Sequence, residues 1–455
     1  MSGRVVVVGG GLSGIAASLE CAHAGAQVTL IESRGRLGGA AYSFTRHGIH
    51  ADNGQHVFLR CCTAYRELLD EIGASEMVSL QRRLEIPVLA PGGRRARLRR
   101  SGLPAPLHLA GSLLRYPLIG PGQRLAAARA MQALRAIDPD DPAADVRSFG
   151  DWLREHGQHA DAVDAIWSLI ARPTLNLVPD DASLAQAAQV FQEGLLQDSA
   201  AGDVGYAIVP LSEIHDHAAR RALAAAGVNV IVRRGATALG HERGAFWIES
   251  SGAPTLEADV VVLAVSPDRA GRLLPAEAGI PRGSLARLGS SPIVNLHVVL
   301  DRPVLDCPFA AGVHTPVQWL FDRTRSSGLE SGQYLAVTLS AADEELEMTV
   351  EELRARYLPA LSDLLPEARE ATVREFFVTR EHSATFRAAP GSRALRPGPV
   401  TRLDGLLLAG AWTDTGWPAT MEGAVRSGRA AAREALAALG RVRAKAVVPL
   451  QKEPV

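Results

Sequence analysis

The sequence predicts an α/β protein with a second, α+β domain, and three observations support this fold class. A β-branched run that ends in glycine, RVVVVGG, opens the chain, as is typical of a buried parallel strand. Similar strand patterns return in the middle, LEADVVVLAVSP (256–267), and near the end, GLLLAGAWTD (405–414). Helical stretches and further strands lie between them, so we expect one sheet domain assembled from separated segments.

These patterns also predict how the chain is divided. The first domain is predicted to consist of three segments and the second domain of the residues between them, and a flexible tail follows. The predicted segments are 1–75, 206–280 and 399–440 for the first domain, 76–205 (mainly helical, facing substrate and membrane) and 281–398 (strands and a helix) for the second, and 441–455 for the tail.

Composition narrows the class of function. The 455 residues are 47% hydrophobic and 21% charged, with a net charge of −1, so no basic field favours nucleic acid as a partner. Four cysteines are too few for a disulfide framework, and no Cys/His spacing indicates a metal site. Glycines interrupt the first apolar run, so we expect no secretory signal and a cytoplasmic protein.

The opening βαβ unit carries a dinucleotide-binding fingerprint, Gly9, Gly11 and Gly14, with Ser13 before the last glycine. The first glycine permits a tight turn, the second lets a pyrophosphate approach the backbone, and the third lets the helix pack on the strand. The helix N-terminus then favours the phosphates. The second strand, QVTLIE, ends at Glu32, where a carboxylate can accept both hydroxyls of a ribose.

Two stretches that lie far apart in the sequence narrow the identity of the cofactor. ESRGRLGGAAYSF (32–44) resembles the E-x-x-x-R-x-G-G-R segment of the amine oxidase and phytoene desaturase flavoproteins, and LLLAGAWTDTGWPATMEGAVRSGRAAA (406–432) resembles their second flavin segment. The resemblance implies FAD on a Rossmann-like domain of the glutathione-reductase type, with the adenine against Val230. Ala40 departs from the pattern, so one pyrophosphate contact must come from elsewhere, with Arg34 and Arg36 as candidates. Ala411 also departs from it, which weakens one expected ribityl hydrogen bond. The further FAD contacts that the resemblance implies are Ser33, Gly38, Gly39, Gly410, Met421, Glu422 and Ala424.

The stretch DNGQH (52–56) narrows the resemblance to the hydroxysqualene dehydroxylases, which LNLVPDDAS and YAIVPLSEI also resemble. In this reading Gly54 and Gln55 contact the flavin, and Asp52, Asn53 and His56 bring further polar groups to it. A polar turn with a hydrogen-bonded His56 is the alternative.

The resemblance implies reductive removal of an allylic hydroxyl from hydroxysqualene, in hopanoid or triterpenoid synthesis. Reduced FAD would supply a hydride and an unidentified electron donor would reload it. The hydroxyl leaves as water, so a general acid is needed, and His56, Asp52 and Asp414 are the candidates. Carotenoid desaturation is the main alternative. Amine oxidation is disfavoured because Thr420 stands where those enzymes carry a tyrosine, and a non-catalytic prenyl-binding escort is disfavoured by the intact glycine motif.

A polyisoprenoid substrate suggests that the protein meets a membrane. Transfer of such a hydrocarbon through water costs about 0.8 kcal/mol per CH2. The apolar stretch 103–120 can enter a bilayer interface, and the arginines before it can meet anionic head groups. The predicted docking segment is 94–120, with Arg94, Arg95, Arg97, Arg99 and Arg100. We therefore expect peripheral membrane association, and a solvated basic loop beside an ordinary core helix is the alternative.

Overall fold

The computed structural model describes residues 3–447, with side chains up to residue 441. The strands in this range, in chain order, are β1 (Arg4–Val8), β2 (Gln27–Ile31), β3 (Ser43–Arg46), β4 (Ile49–Asp52), β5 (Val57–Leu59), β6 (Val78–Leu80), β7 (Glu85–Ala90), β8 (Arg94–Arg99), β9 (Val204–Ala207), β10 (Asn229–Ile231), β11 (Ala236–Glu242), β12 (Ala245–Ser250), β13 (Ala253–Ala258), β14 (Val260–Leu263), β15 (Ser291–Leu300), β16 (Phe309–Gly312), β17 (Trp319–Asp322), β18 (Gln333–Ser340), β19 (Val373–Thr385) and β20 (Leu406–Leu408).

The α-helices of the same range, in chain order, are α1 (Leu12–His23), α2 (Thr63–Glu71), α3 (Ala110–Leu114), α4 (Pro121–Leu134), α5 (Pro142–Asp145), α6 (Phe149–Glu155), α7 (Ala160–Ala162), α8 (Leu169–Leu175), α9 (Leu184–Phe191), α10 (Ala219–Ala225), α11 (Pro267–Leu273), α12 (Thr324–Ser327), α13 (Asp343–Glu347), α14 (Val350–Leu364) and α15 (Met421–Val447). Three π-helical turns adjoin them, at Val163–Ser168, Gln192–Leu196 and Glu213–Ala218.

The nucleotide-binding domain is built on a parallel sheet of order β10-β2-β1-β14-β20. Its central strands are buried on both faces, which is why they are continuous apolar runs. Helices α1 and α15 cross on one face, where Gly428 lies so close to Ser13 that any Cβ would overlap the Ser13 carbonyl. Separated segments therefore form one sheet, which confirms the predicted α/β fold class.

The second domain is built on a seven-stranded sheet of order β19-β15-β18-β17-β16-β7-β8, antiparallel except where β16 meets β7. Helix α14 covers one face with Leu353, Tyr357 and Leu361. Strands β7 and β8 come from the segment 76–205, which the sequence predicted to be mainly helical. The arginine-rich stretch 94–99 forms an edge strand in which the exposed Arg95, Arg97 and Arg99 alternate with the half-buried Ala96 and Leu98.

The remaining residues of 107–196 form a helical layer around an aromatic cluster. Phe149, Trp152, Trp167 and Phe191 are all buried and meet at ring-centroid distances of 5.2–6.2 Å. Because aromatic rings bury a large apolar area, this cluster fixes the helices on one another.

Helix α15 continues to Val447, beyond Gly440, after which the sequence was expected to become flexible. Residues 448–455 of the predicted tail lie outside the described residues. Within 3–447, every helix is too short or too polar to traverse a bilayer. In the same range, no three His, Cys, Asp or Glu side chains gather as metal ligands would.

Candidate active site

The fingerprint glycines form the turn between β1 and α1. A Cβ on Gly14 would overlap the Gly9 carbonyl oxygen, so the third glycine lets the helix begin directly on the strand. Ser13 is buried in the first turn of α1. The first amides of a helix lack intrahelical acceptors, so this end of α1 offers donors to an anion.

A second glycine loop faces the first. Gly39 has a φ of +60°, and a Cβ there would lie 2.9 Å from the Cα of Gly11. Gly38, with a φ of +92°, precedes it. The two loops thus contact each other through the backbone of their glycines. A pyrophosphate can bind at such a surface because no side chain intrudes. The geometry therefore suits the predicted cofactor.

Glu32 lies at the end of β2 and joins these loops. Its Oε2 accepts from the Gly10 amide at 2.7 Å, and its Oε1 accepts from the Arg34 amide at 2.7 Å and the Ser33 hydroxyl at 3.0 Å. Each carboxylate oxygen can accept two hydrogen bonds. Oε2 therefore keeps capacity for a ribose hydroxyl, and this role of Glu32 stays a prediction.

The two candidate arginines differ in their surroundings. Arg34 is exposed, whereas Arg36 stacks over the Tyr42 ring at 3.4 Å and donates to the Gly39 carbonyl at 3.0 Å. Burial lowers the pKa of Arg36, and the charge of Arg34 lowers it further. Arg36 thus supports the glycine loop that Ala40 follows. Val230 is half-buried on β10, paired with Leu30 of β2.

The C-terminal segment reaches the site from the other side. The Gly410 amide donates to the Ser427 hydroxyl at 2.6 Å, which ties the end of β20 to α15. Met421 begins α15, and the Ala424 amide bonds to the Thr420 carbonyl at 2.9 Å. The first amides of α15 are the donors that this segment can offer to a flavin.

Glu422 does not direct its side chain as expected. Its oxygens accept from the amides of Ala64 (3.1 Å) and Tyr65 (2.8 Å), and Arg426 donates to it at 2.6 Å. A carboxylate at the first turn of α2 is favoured by the free amides there. The carboxylate of Glu422 therefore anchors α2, and a cofactor contact from this residue is left to its backbone.

Asp52 is committed to a buried ion pair. Its Oδ2 lies 2.8 Å from Nη2 of Arg323, and its Oδ1 accepts from the Ser43 hydroxyl at 2.6 Å and the Leu211 amide at 3.0 Å. These contacts occupy both carboxylate oxygens of Asp52, and its role as a general acid stays a prediction.

Asn53 pins the same loop to the seven-stranded sheet. Its side-chain amide donates to Glu381 at 2.8 Å, and its backbone carbonyl accepts from the side chains of Asn295 at 2.9 Å and Thr379 at 3.0 Å. Gly54 follows, where a Cβ would come within 3.4 Å of the Asn295 amide. The loop therefore lies at the junction of the two domains.

Gln55 and His56 are the uncommitted side chains of this loop. The Gln55 amide nitrogen is buried and has no hydrogen-bond partner among the described residues. A buried donor without a partner is costly and points to a bound group. In the same range His56 makes no side-chain hydrogen bond. Burial lowers the pKa of His56, while the carboxylates of Asp52 and Glu381 oppose that shift.

A small cleft opens beside these two residues. Its remaining walls combine the Asp52–Arg323 pair with apolar surface, contributed by Val57, Tyr206, Ala207, Leu211 and Phe321. The third candidate acid, Asp414, lies elsewhere, exposed on the loop after β20, where it accepts from the Gly416 amide at 3.2 Å. His56 and Asp52 border the cleft and Asp414 does not, and the catalytic role of each of the three stays a prediction.

Sequence reasoning missed several residues that shape this site. Arg323 and Glu381 are contributed by the second domain, and no local pattern marks them. Arg396 is buried and donates to the carbonyls of Thr413 (2.6 Å) and Trp417 (2.8 Å), and burial lowers the pKa of Arg396 to about 10. It holds the loop after β20 in place. An arginine among apolar residues was the only available signal.

The fold and the glycine cradle define an FAD-binding flavoprotein. The unpartnered Gln55 nitrogen and the bare backbone rim both suit that cofactor. Comparison with known proteins agrees: residues 12–436 match the model of the flavin containing amine oxidoreductases. The chain belongs to that family, and it is an FAD-dependent oxidoreductase.

Similar proteins refine this placement. A hydroxysqualene dehydroxylase of Rhodopseudomonas palustris is 33% identical over 445 residues, covering 96% of this chain and 99% of the relative. A zeta-carotene desaturase of Arabidopsis thaliana is 24% identical, covering 94% and 84%. The structure of wild-type putrescine oxidase bound to putrescine superimposes with a TM-score of 0.71 at 21% identity, covering 96% and 99%, which shows a shared fold. The predicted resemblance to hydroxysqualene dehydroxylases is confirmed.

Proposed function

We propose that this oxidoreductase removes the allylic hydroxyl of hydroxysqualene to give squalene, in hopanoid or triterpenoid synthesis. The similarity to the Rhodopseudomonas palustris protein along 96% of the chain carries the proposal. Thr420 supports it, since its hydroxyl accepts from the Gly423 amide at 3.1 Å and thereby caps α15. Position 420 therefore offers no aromatic ring to frame an amine.

The cofactor would be held by residues from all three nucleotide-domain segments. The cradle at Gly11 and Gly39 suits its pyrophosphate, and Gln55 and the first amides of α15 suit its flavin. FAD, when bound and reduced, supplies the hydride for the reaction. Each turnover consumes two electrons and two protons and releases water, so an external reductant of unknown identity is required.

His56 would give the proton to the departing hydroxyl. Its ring borders the cleft and is free of protein hydrogen bonds in the described range, as a general acid requires. Because burial lowers its pKa, the imidazole must take up a proton before each turnover. Apolar walls beside it exclude water from the reacting carbon.

The substrate would enter from a bilayer through a docking tip at 103–125. Four exposed leucines lie in this range, with exposed fractions of 52% to 69%: Leu103, Leu107, Leu114 and Leu125. Arg115 is exposed beside them. Burying half of a leucine gains about 1 kcal/mol, so the tip can bind a membrane interface reversibly.

The predicted basic cluster contributes less to this tip than expected. Arg100 is tied to the buried Asp203 at 2.6 Å, so it cannot serve a head group. Arg95 pairs with Asp306, and Arg97 and Arg99 pair with Glu85, at 3.4 Å each. These pairs are exposed and weak, so their arginines can exchange a carboxylate for a lipid phosphate.

Flotation with anionic phosphatidylglycerol vesicles tests the tip. The triple variant Leu103→Ser, Leu107→Ser, Leu114→Ser should lose most of its vesicle recovery. The control carries Val146→Ser and Val400→Ser, which remove exposed apolar side chains elsewhere (65% and 58% exposed), and it should float like wild type. Equal flotation of all three proteins would exclude docking through this tip.

The reaction is tested by anaerobic incubation of the FAD-loaded protein, reduced with dithionite, with hydroxysqualene. We expect squalene by mass spectrometry and no product from apo-protein. The similarity to zeta-carotene desaturases favours oxidative desaturation as the second candidate. The oxidised protein is therefore incubated with zeta-carotene, and new conjugated double bonds without any squalene in the first assay would replace our proposal with that one.

A further inference from the structure

The glycine loop 33–42 has no helix or strand of its own, yet Gly39 must stay against Gly11. Asn53 bonds to the Ala40 carbonyl and the Tyr42 amide of this loop, and one short segment, Ser212–Arg220, contributes several further contacts. This segment contains the π-helical turn Glu213–Ala218, a feature that is frequent at functional sites. The support is made of side chains that bond to the backbone of the loop.

Polar contacts fix the loop at both ends. At its start, Asp216 accepts from the Leu37 amide at 3.0 Å, and Arg220 donates to the Gly35 carbonyl at 3.1 Å while it pairs with Asp216. At its end, the Ser212 hydroxyl accepts from the Ser43 amide at 2.8 Å. Backbone amides and carbonyls of an irregular loop need such partners, so these contacts hold its shape.

His215 supports the middle of the loop. Its Nδ1 lies 3.3 Å from the Ala41 carbonyl oxygen, and its Nε2 lies 2.8 Å from the Tyr65 hydroxyl. A carbonyl only accepts, so Nδ1 carries the hydrogen and Nε2 accepts from Tyr65. A Cβ on Gly38 would lie 3.0 Å from the His215 Cβ. The imidazole therefore touches the loop where its two glycines turn.

The contacts continue to the opposite half of the site. The Tyr65 amide donates to Oε2 of Glu422 at 2.8 Å, and Glu422 lies in the first turn of α15, within the C-terminal flavin segment 406–432. Tyr65, His215 and Glu422 are 2%, 0% and 1% exposed. A buried bridge, Glu422–Tyr65–His215–Ala41, thus joins the three segments of the nucleotide domain.

We propose that this bridge positions the two halves of the FAD site relative to each other, so that the pyrophosphate loop and the start of α15 are set before the cofactor binds. His215 and Tyr65 are positioning residues in this assignment. A preorganised site binds more tightly because less ordering remains to be done on association. The inference concerns cofactor binding and does not depend on which polyisoprenoid is the substrate.

The Tyr65→Phe variant tests the bridge, with Tyr116→Phe as its matched control. Tyr116 is equally buried (1% exposed), and its hydroxyl donates to the Ala165 carbonyl at 3.0 Å in the helical layer. FAD titration of the apo-proteins gives Kd, and thermal unfolding of the same apo-proteins gives their stability. We expect both variants to melt at lower temperature, but only Tyr65→Phe to bind FAD about tenfold more weakly.

The inference is overturned if Tyr65→Phe keeps the wild-type affinity for FAD or if Tyr116→Phe weakens it equally. Ser212→Ala gives a second, milder test, with Ser148→Ala as control. Ser148 caps α6 by accepting from the Asp151 amide at 3.3 Å, far from the glycine loop in sequence. We expect about threefold weaker FAD binding for Ser212→Ala alone, and equal effects of the two serine variants would count against the bridge. Failure to form squalene would leave these affinities untouched.

Discussion

The substitution Asp52→Asn separates structure from catalysis in the loop 52–56. The carboxylate and the Arg323 guanidinium are 4% and 9% exposed at the side-chain level and 2.8 Å apart. Removing one partner of a buried pair costs about 3–5 kcal/mol, because the other charge is left without compensation. Arg323 keeps the carbonyls of Ala207 (2.6 Å) and Val209 (3.1 Å) as acceptors. We therefore expect a loss near the lower limit, about 3 kcal/mol.

Urea unfolding of the FAD-loaded protein, followed by far-UV circular dichroism, measures this loss. The control is Asp268→Asn, whose partner Arg272 is 2.8 Å away but whose pair is 68% exposed on both sides. It should change the free energy of unfolding by less than about 1 kcal/mol. The double variant Asp52→Asn, Arg323→Gln should recover part of the stability. Full stability of Asp52→Asn would refute the stability argument, and lost turnover at full stability would support Asp52 as a catalytic group.

Three further predictions concern the cradle and the buried histidines. Gly39→Ala should weaken FAD binding at least tenfold in apo-protein titration, because its Cβ meets Gly11. The control Gly102→Ala, with open space around the new Cβ, should keep the wild-type Kd. Equal Kd values for the two variants would contradict the assignment of the glycine loops as the pyrophosphate site. His56→Ala should abolish turnover but leave FAD bound and reducible. Wild-type turnover should rise as pH falls below about 6.5, because burial lowers the pKa of His56. A pH profile of turnover unchanged by the substitution would show that His56 is not the general acid. Burial lowers the pKa of His215 and of His297 to about 3, so as pH falls the unfolded chain binds a proton at each of these histidines before the folded protein does. Each histidine should therefore lower the free energy of unfolding by about 2 kcal/mol between pH 7 and pH 5. A urea midpoint independent of pH over that range would refute this.

The parts of the fold that are local in sequence could be predicted. The glycine turn, the strand before it and the helix after it lie within 20 residues, and burial of β1 on both faces produces its continuous valine run. Strand β8 could not be predicted in this way. Five arginines between 94 and 100 look like a solvated charge cluster, and only the pairing with β7 shows that residues 94–99 form the edge strand of a sheet.

The same contrast applies to the site. The cradle is encoded within residues 9–39, so its glycines were predicted together. The partners of the loop 52–56 are not local: 271 residues separate Asp52 from Arg323, and 328 separate Asn53 from Glu381. A carboxylate that serves as a general acid and one that pairs with a distant arginine look alike in sequence. The ion pair of Asp52 with Arg323 could therefore be seen only in the tertiary structure.

A cofactor site that joins separated segments also couples folding to FAD. The cradle, the loop before β5 and the start of α15 are brought together from residues 9–56 and 410–424, and ligand bound only by the folded state stabilises it by about 4 kcal/mol when its concentration is 1,000 times Kd. The Asp52–Arg323 pair and the Tyr65–His215 bridge contribute without FAD, the first between domains and the second within one. Loss of the pair should therefore destabilise apo-protein and FAD-loaded protein alike. Loss of the bridge should lower the stability of the FAD-loaded protein more than that of the apo-protein, because weaker binding stabilises less at any given FAD concentration.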